Sequence, residues 1–229
     1  MLTKDDLGCG DADVVFLIEH SQVDTGSSID HQGDTVMELM NLWADHNKAI
    51  RVGVVAYNNQ VDAVLDLTPV NSHRFQTRNK IRSYTDNTLH HRPHNHHNLL
   101  HPSGEADLGK ALDFVRDNSV FDDSRPGVPK VVVPIIHEMP SRFVARRHMV
   151  ASGRDLVEEC VSIVALLVGK PGEVDDVTVS HMVQQSQGGA DAGGGSGGGD
   201  SGDFVLEYSS YQHLEDLAHD KKVFNCRHH

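Results

Sequence analysis

A chain of 229 residues makes one large domain or two small ones, and its hydrophobic fraction of 38% is low partly because many of its 20 glycines sit in one run. The formal net charge of −13 argues against nucleic acid, whose phosphates need clustered Lys and Arg, and fits a cation or a basic partner. No stretch approaches the ~18–20 apolar residues of a membrane span, and Met1 to Gly10 carries no apolar signal region, so the sequence reads as a mature form or an intracellular protein.

The first element is a run of five apolar residues, Val14 to Ile18, rich in β-branched side chains and too short for a helix. It predicts a central parallel strand, buried on both faces. It ends in Glu19-His20-Ser21, and in open α/β sheets ligands bind outside the carboxyl ends of the strands. Asp24 to Ser28 is a turn cluster. Asp30 to Asn47 places Val36, Leu39, Met40, Leu42 and Trp43 at helical spacing. Arg51 to Tyr57 is a second buried strand, Asn58-Asn59 a hairpin turn, and Val61 to Leu67 an alternating antiparallel edge strand with Val61, Ala63, Leu65 and Leu67 on one face.

Ser72 to Tyr84 predicts a modest helix with Phe75 and Ile81 inward. Thr85 to Ser103 holds six of the 17 histidines (His90, His91, His94, His96, His97 and His101) with two prolines and several Asn, which makes it a loop. Gly104–Leu112 follows, and Asp113 to Asn118 continues as helix. Arg125 to Lys130 is a turn leading into a fourth buried strand, Val131 to Ile136, which ends in His137-Glu138. Pro140-Ser141 caps a helix to about Glu158, Val161 to Val168 is a fifth strand, and Val174 to Gln187 is a weak helix. Cys160, inside the apolar stretch Val157–Val168, reads as a buried free thiol. The Gly/Ser/Asp run 188–203 cannot form a core and reads as a flexible loop. Asp203 to Tyr208 is a last strand, followed by a helix capped by Ser209 or Ser210 and running to His219. This alternation predicts an α/β fold: a doubly wound, mostly parallel central sheet with helices on both faces and one antiparallel edge strand. No second domain and no internal repeat is visible, so residues 1–229 read as one domain with insertions at 85–103 and 188–203.

Several segments, in order, resemble the von Willebrand factor A domain family. The first strand leads into Glu19-His20-Ser21-Gln22-Val23, where the family's metal loop reads Asp-x-Ser-x-Ser. R-V-G-V-V-A-Y (51–57) with its short following strand is similar to the family's second and third strands. Gly104-Glu105-Ala106-Asp107-Leu108-Gly109-Lys110-Ala111-Leu112 is similar to Gly-Gly-Thr-x-Thr-Gly-x-Ala-Leu, and Val131–Ile136 matches a strand that in the family ends in Asp-Gly. The resemblance covers roughly residues 11–222.

It implies a site of oxygen ligands for Mg²⁺ or Mn²⁺, the metal-ion-dependent adhesion site, whose set suits small hard cations. Carried over by position, that site is altered. The first Asp corresponds to Glu19, the first Ser to Ser21, the second Ser to Val23, the Thr to Ala106 and the second Asp to His137. Weak or absent Mg²⁺ or Ca²⁺ binding is expected. Imidazole suits Zn²⁺ and other transition metals better, so Glu19, His20 and His137, with the loop histidines, form an alternative metal set. The plainer expectation is a lost site with His137 hydrogen-bonded to Glu19. The histidine-rich loop itself is either a mobile metal-binding tract or a solvated insertion titrating near pH ~6.5. Protonating the histidines would cancel the negative charge, so self-association on mild acidification or with metal is expected.

Cys9 precedes the first strand and Cys226 lies near the C-terminus. In an α/β domain whose termini meet, they can form a clasp worth roughly 4–5 kcal/mol in the chain-entropy model; the other reading is two free thiols. The resemblance implies the disulfide. No nucleophile elbow, phosphate loop or oriented nucleophile–base pair is present, so no enzyme is expected. The family's matrix members, collagen VI-like chains and matrilins, imply a secreted extracellular-matrix protein that binds a protein partner, collagen, with no nucleic acid and no membrane as partner. The His-rich and Gly-rich insertions are similar in composition to mussel byssal-thread materials. Two surfaces are open to that partner: the top face, with Glu105, Asp107 and Glu138 beside Glu19, His20, Ser21 and His137, or a flank of the sheet, where exposed helices would grip a basic triple helix through acidic side chains. The alternatives are a metal-dependent adhesion protein and an intracellular assembly scaffold.

Overall fold

The computed structural model describes residues 11–20, 27–45, 49–71, 74–89, 106–118, 120–137, 139–169, 175–183 and 205–210. The order of elements is β1 (Ala12–Glu19), α1 (Ser27–Asp45), β2 (Ile50–Tyr57), β3 (Val61–Pro69), α2 (Arg74–Leu89), α3 (Leu108–Asp117), β4 (Lys130–Ile136), α4 (Phe143–Glu158), β5 (Val161–Ile163), β6 (Ala165–Val168), α5 (Asp176–Val183) and β7 (Val205–Tyr208). The sheet runs β3-β2-β1-β4-β6-β7, with β5 also on β4. Every pairing is parallel except β2 with β3, the antiparallel edge. The expected α/β architecture is therefore present.

The alternation of β1 across the sheet divides the core. Val14, Phe16 and Ile18 pack with Val36, Leu39, Met40 and Trp43 of α1 and with Ile81 of α2, and Phe16 stacks on Trp43 with centroids 6.2 Å apart. Val15 and Leu17 face the other way, onto Leu112 of α3, Met149 and Leu156 of α4, and Met182 of α5. A strand buried on both faces has no polar side to show, which is why β1, β2 and β4 read as continuous apolar runs.

The structure corrects five expectations. The segment 161–168 is two short strands broken at Val164, although the register with β4 is the same on both sides of the break. The cause lies on β4. The Val132 carbonyl accepts from Val164 N–H at 2.9 Å; two residues on, Pro134 faces the same neighbour and has no N–H for the next rung. On β3, register shifts opposite Val52–Val55 mark bulges. The strict alternation is lost: Leu65 and Val64 pack on the α1 side, Val61 and Leu67 on the other, and Ala63 is exposed. Helix α2 runs on to Leu89, into the segment read as loop from Thr85. Helix α4 begins at Phe143, and its N-cap Arg142 makes no side-chain capping bond, so Ser141 is not the cap. Cys160 is exposed, not buried. It follows α4 with φ 63°, its N–H on the Val157 carbonyl at 3.0 Å, so the apolar stretch crosses a turn that carries the thiol outward.

Helix α5 is capped by Asp175, whose carboxylate accepts the Thr178 hydroxyl at 2.6 Å and the Thr178 N–H at 3.1 Å. Those two bonds, with the Arg146 guanidinium contributing less, hold the carboxyl below its usual value. A carboxylate so depressed stabilises the fold above its unfolded pKa, and that contribution is lost as pH falls through the folded value. Asp175→Ala is expected to cost about 1 kcal/mol at pH 7, the cap being half-exposed. In urea unfolding, the gap between variant and parent should close as the pH drops below about 4.

Residues Cys9 and Cys226, the run 188–203 and the expected helix to His219 lie outside the described residues. Among the described residues no helix is long and apolar enough to cross a membrane.

Candidate functional site

The carboxyl ends of β1 and β4 meet through Glu19. Its side chain is buried, 1% exposed, and its Oε2 accepts the backbone N–H of His137 at 2.8 Å. The contact expected between these residues therefore exists, but the donor is the main chain of His137. Helix α1 fixes Glu19 from the other side. The Gln32 amide spans its peptide: Oε1 accepts Glu19 N–H at 2.7 Å and Nε2 donates to the Glu19 carbonyl at 2.9 Å. His20, also buried, extends the β1–β2 ladder by donating its N–H to the Tyr57 carbonyl at 2.8 Å.

The turn after β2 brings up the start of α3. Asp107 donates its N–H to the Asn58 carbonyl at 2.8 Å. Its side chain turns onto its own helix as the N-cap, accepting Lys110 N–H at 3.2 Å. The Lys110 ammonium lies 3.5 Å from the same carboxylate and donates to the Asn59 carbonyl at 3.2 Å. Ala106 is buried and offers only a methyl group.

Of the site residues expected from sequence, then, Glu19 and His137 meet through the His137 peptide N–H, and His20 follows Glu19 at the end of β1. Asp107 stands on the neighbouring turn with its carboxylate engaged locally. Ser21, Glu105, Glu138, Val23 and the histidines 90, 91, 94, 96, 97 and 101 lie outside the described residues. Among the described residues no three His, Cys, Asp or Glu side chains gather as a metal-holding cluster. The donor set fits Mg²⁺ poorly. Among the described residues, one carboxylate oxygen of Glu19 is held by a peptide N–H, and the positions that the resemblance assigns to Thr and the second Asp carry Ala106 and His137, whereas a hard cation wants several oxygens.

One polar constellation was not anticipated. On α4, His148 Nε2 lies 2.7 Å from Asp113 Oδ2 of α3, and its Nδ1 lies 3.9 Å from Asp107. Arg116 pairs with Asp113 at 3.3 Å, Asp117 at 2.8 Å and Asp155 at 2.6 Å, tying α3 to α4; its hydrogen bond holds the Asp117 carboxyl below the usual range. Only the i,i+3 spacing of Asp113 and Arg116 was visible in the sequence. The cross-helix partners were not.

The sequence profile of the von Willebrand factor type A domain matches residues 13–142, more than half of the chain. No curated protein sequence matches significantly. Among solved structures, proximal thread matrix protein 1 (PTMP1) from the mussel byssus superposes with a TM-score of 0.64 at 18% identity, over 94% of this chain and 47% of that one. The chain thus spans about half of that protein. The BatB protein of Bacteroides thetaiotaomicron gives 0.58 at 10% identity over 94% of this chain and all of its own. The SpRpn10 VWA domain gives 0.57 at 16% identity over 95% and 99%. At such identities these likenesses speak for the fold alone. The chain belongs to the von Willebrand factor type A domain family.

Proposed function

We propose that this is a non-enzymatic structural or adhesive protein of the extracellular matrix that binds a protein partner, collagen, without a bridging Mg²⁺ ion. The observation that carries the reading is the engagement of Glu19. A carboxylate that holds the His137 peptide N–H braces two strand ends, and beside it the adhesion-site positions offer a methyl group and an imidazole. Family membership supports protein binding, and the structural likeness to a byssal thread matrix protein supports a matrix setting and secretion. A strongly acidic surface suits a partner with exposed basic side chains, and such binding weakens with salt. The altered site is a remnant on this reading. Its rival is a re-tuned site in which Glu19, His20 and His137, with loop histidines, hold Zn²⁺.

Two measurements on the whole chain test this. Collagen binding, read by surface plasmon resonance, is expected to be the same in EDTA and in Mg²⁺ and to weaken between ~0.05 and ~0.5 M salt. Calorimetric titration with Mg²⁺, Ca²⁺ and Zn²⁺, on the parent and on Glu19→Ala/His137→Ala, is expected to show no Mg²⁺ binding. Zn²⁺ binding lost in the double variant would favour the re-tuned site. Zn²⁺ binding that survives would place the metal on the histidine-rich loop. Mg²⁺-dependent collagen binding would overturn the proposal.

A further inference from the structure

The acidic chain carries a basic helix face on α4. From Met139 to Arg154 there is no carboxylate, while Arg142, Arg146, Arg147 and Arg154 fall on or at the edge of α4. Helices α4 and α5 run side by side in the same direction. Arg146 pairs with Asp175 at 3.4 Å, and seven residues further along each chain Gly153 meets Met182. Between them lies an open groove of about 540 Å³, lined among others by Phe143, Arg147, Val150, Arg154, Thr178 and His181.

Two observations point to a ligand there. The large apolar side chains exposed among the described residues are Phe143 (71%), Val144 (78%) and Val177 (60%), and all three sit in the first turns of the two helices that frame the groove. Exposed apolar groups gathered at one place, and not scattered singly, mark an interaction surface. The charges there are also left over. Arg146 is used internally, donating to the Pro140 carbonyl at 2.6 Å as well as pairing with Asp175. Arg147 lies over the Phe143 ring at 5.8 Å, and neither it nor Arg154 has a carboxylate partner among the described residues. On a chain of net charge −13, unpaired guanidiniums beside bare aromatic and aliphatic surface are complementary to a ligand that is both anionic and apolar.

We propose that the α4–α5 groove is a docking site for an acidic polypeptide segment carrying an apolar anchor. Arg147 and Arg154 face its carboxylates, and Phe143 and Val150 receive the anchor. A sulfated glycan would satisfy the arginines but leave the apolar rim exposed, so a peptide fits the groove better. The groove lies on the helical flank, apart from Glu19 and His137, and its occupant is opposite in charge to the basic partner proposed above. The two readings therefore fail independently.

The test uses a fluorescein-labelled synthetic peptide alternating Glu with Leu about a central Phe, read by fluorescence anisotropy on the whole chain. Saturable binding is expected, weakened at least ~10-fold by Arg147→Glu/Arg154→Glu and by Phe143→Ser, and weakened by salt. These side chains are exposed, so circular dichroism should show the variants folded. Two control peptides, one with Glu replaced by Gln and one with Leu and Phe replaced by Ser, should both bind poorly. Failure of the parent peptide to bind, or binding unchanged in the variants, would overturn the proposal. Heparin binding that depends on the arginines but not on Phe143 would overturn it in favour of a sulfated glycan. A concentration-dependent dimer in sedimentation, lost in Arg147→Glu/Arg154→Glu, would overturn it in favour of a second copy of the chain.

Discussion

Asp13→Ala is expected to destabilise the fold by about 3 kcal/mol. Asp13 opens β1 at the end of the sheet opposite Glu19 and is wholly buried, 0% exposed. Its carboxylate accepts the Arg125 backbone N–H at 3.0 Å and the Arg125 guanidinium at 3.1 and 2.9 Å. Arg51 stands 3.6 Å away on β2. Arg125 also donates to the Ala12 carbonyl at 3.0 Å, and Arg51 to the Asp123 carbonyl at 2.6 Å. One carboxylate thereby fastens the connection between α3 and β4 to the base of β1 and β2. Removing it leaves two guanidiniums facing each other across an emptied polar pocket. Breaking a buried pair from one side costs ~3–5 kcal/mol; both arginines keep some contact with water, which places the expectation at the lower end. Asp13→Asn keeps an acceptor for the N–H groups but loses the charge, and should fall between parent and Asp13→Ala. Urea unfolding with an unchanged m-value is the measurement. A loss below ~1 kcal/mol for Asp13→Ala would mean that water takes over the role of the carboxylate.

That network also marks what the sequence could and could not convey. Asp13 and Arg125 are 112 residues apart, and nothing in either neighbourhood announces the other. The buried strands were legible because burial on both faces writes a continuous apolar run, as in Val131–Ile136. The edge strand was legible as a strand but not in its facing, since bulges against Val52–Val55 reset which residues turn inward. The split of 161–168 was hidden for a related reason: its cause, Pro134, sits on the neighbouring strand. Cys160 was misread because an apolar window has no marker for a left-handed residue at a helix end. At the site, the meeting of Glu19 and His137 followed from the placing of strand ends. That the donor is a peptide N–H did not, because side-chain patterns carry no record of main-chain partners. The basic face of α4 was present in the sequence as a carboxylate-free run, obscured by a net charge that averages over the whole chain.

Gly153→Val is expected to cost about 2–3 kcal/mol, against the usual direction for a glycine inside a helix. Replacing a mid-helix glycine ordinarily gains ~0.5–1 kcal/mol through backbone entropy when the new residue is Ala. Here a Cβ would overlap Met182 Cγ and stand 3.0 Å from the Met182 carbonyl oxygen. The methionine side chain can swing aside, being unbranched. The carbonyl moves only if α5 moves. Met182 is itself wholly buried in the core beneath the sheet, so displacing it opens space there as well. The steric term therefore outweighs the propensity term for Val, while Gly153→Ala should be destabilising by less. Gly109 makes the matching approach on α3: a Cβ there would lie 3.0 Å from Met149 N and 2.6 Å from His148 Nδ1. Helix α4 is thus held closely on two sides, by α3 at Gly109 and by α5 at Gly153. This has a consequence for the groove between α4 and α5, whose width depends on that second approach. In Gly153→Val, peptide binding should weaken together with stability, although every residue lining the groove is unchanged. A variant as stable as the parent would show that α4 and α5 are not packed at this distance.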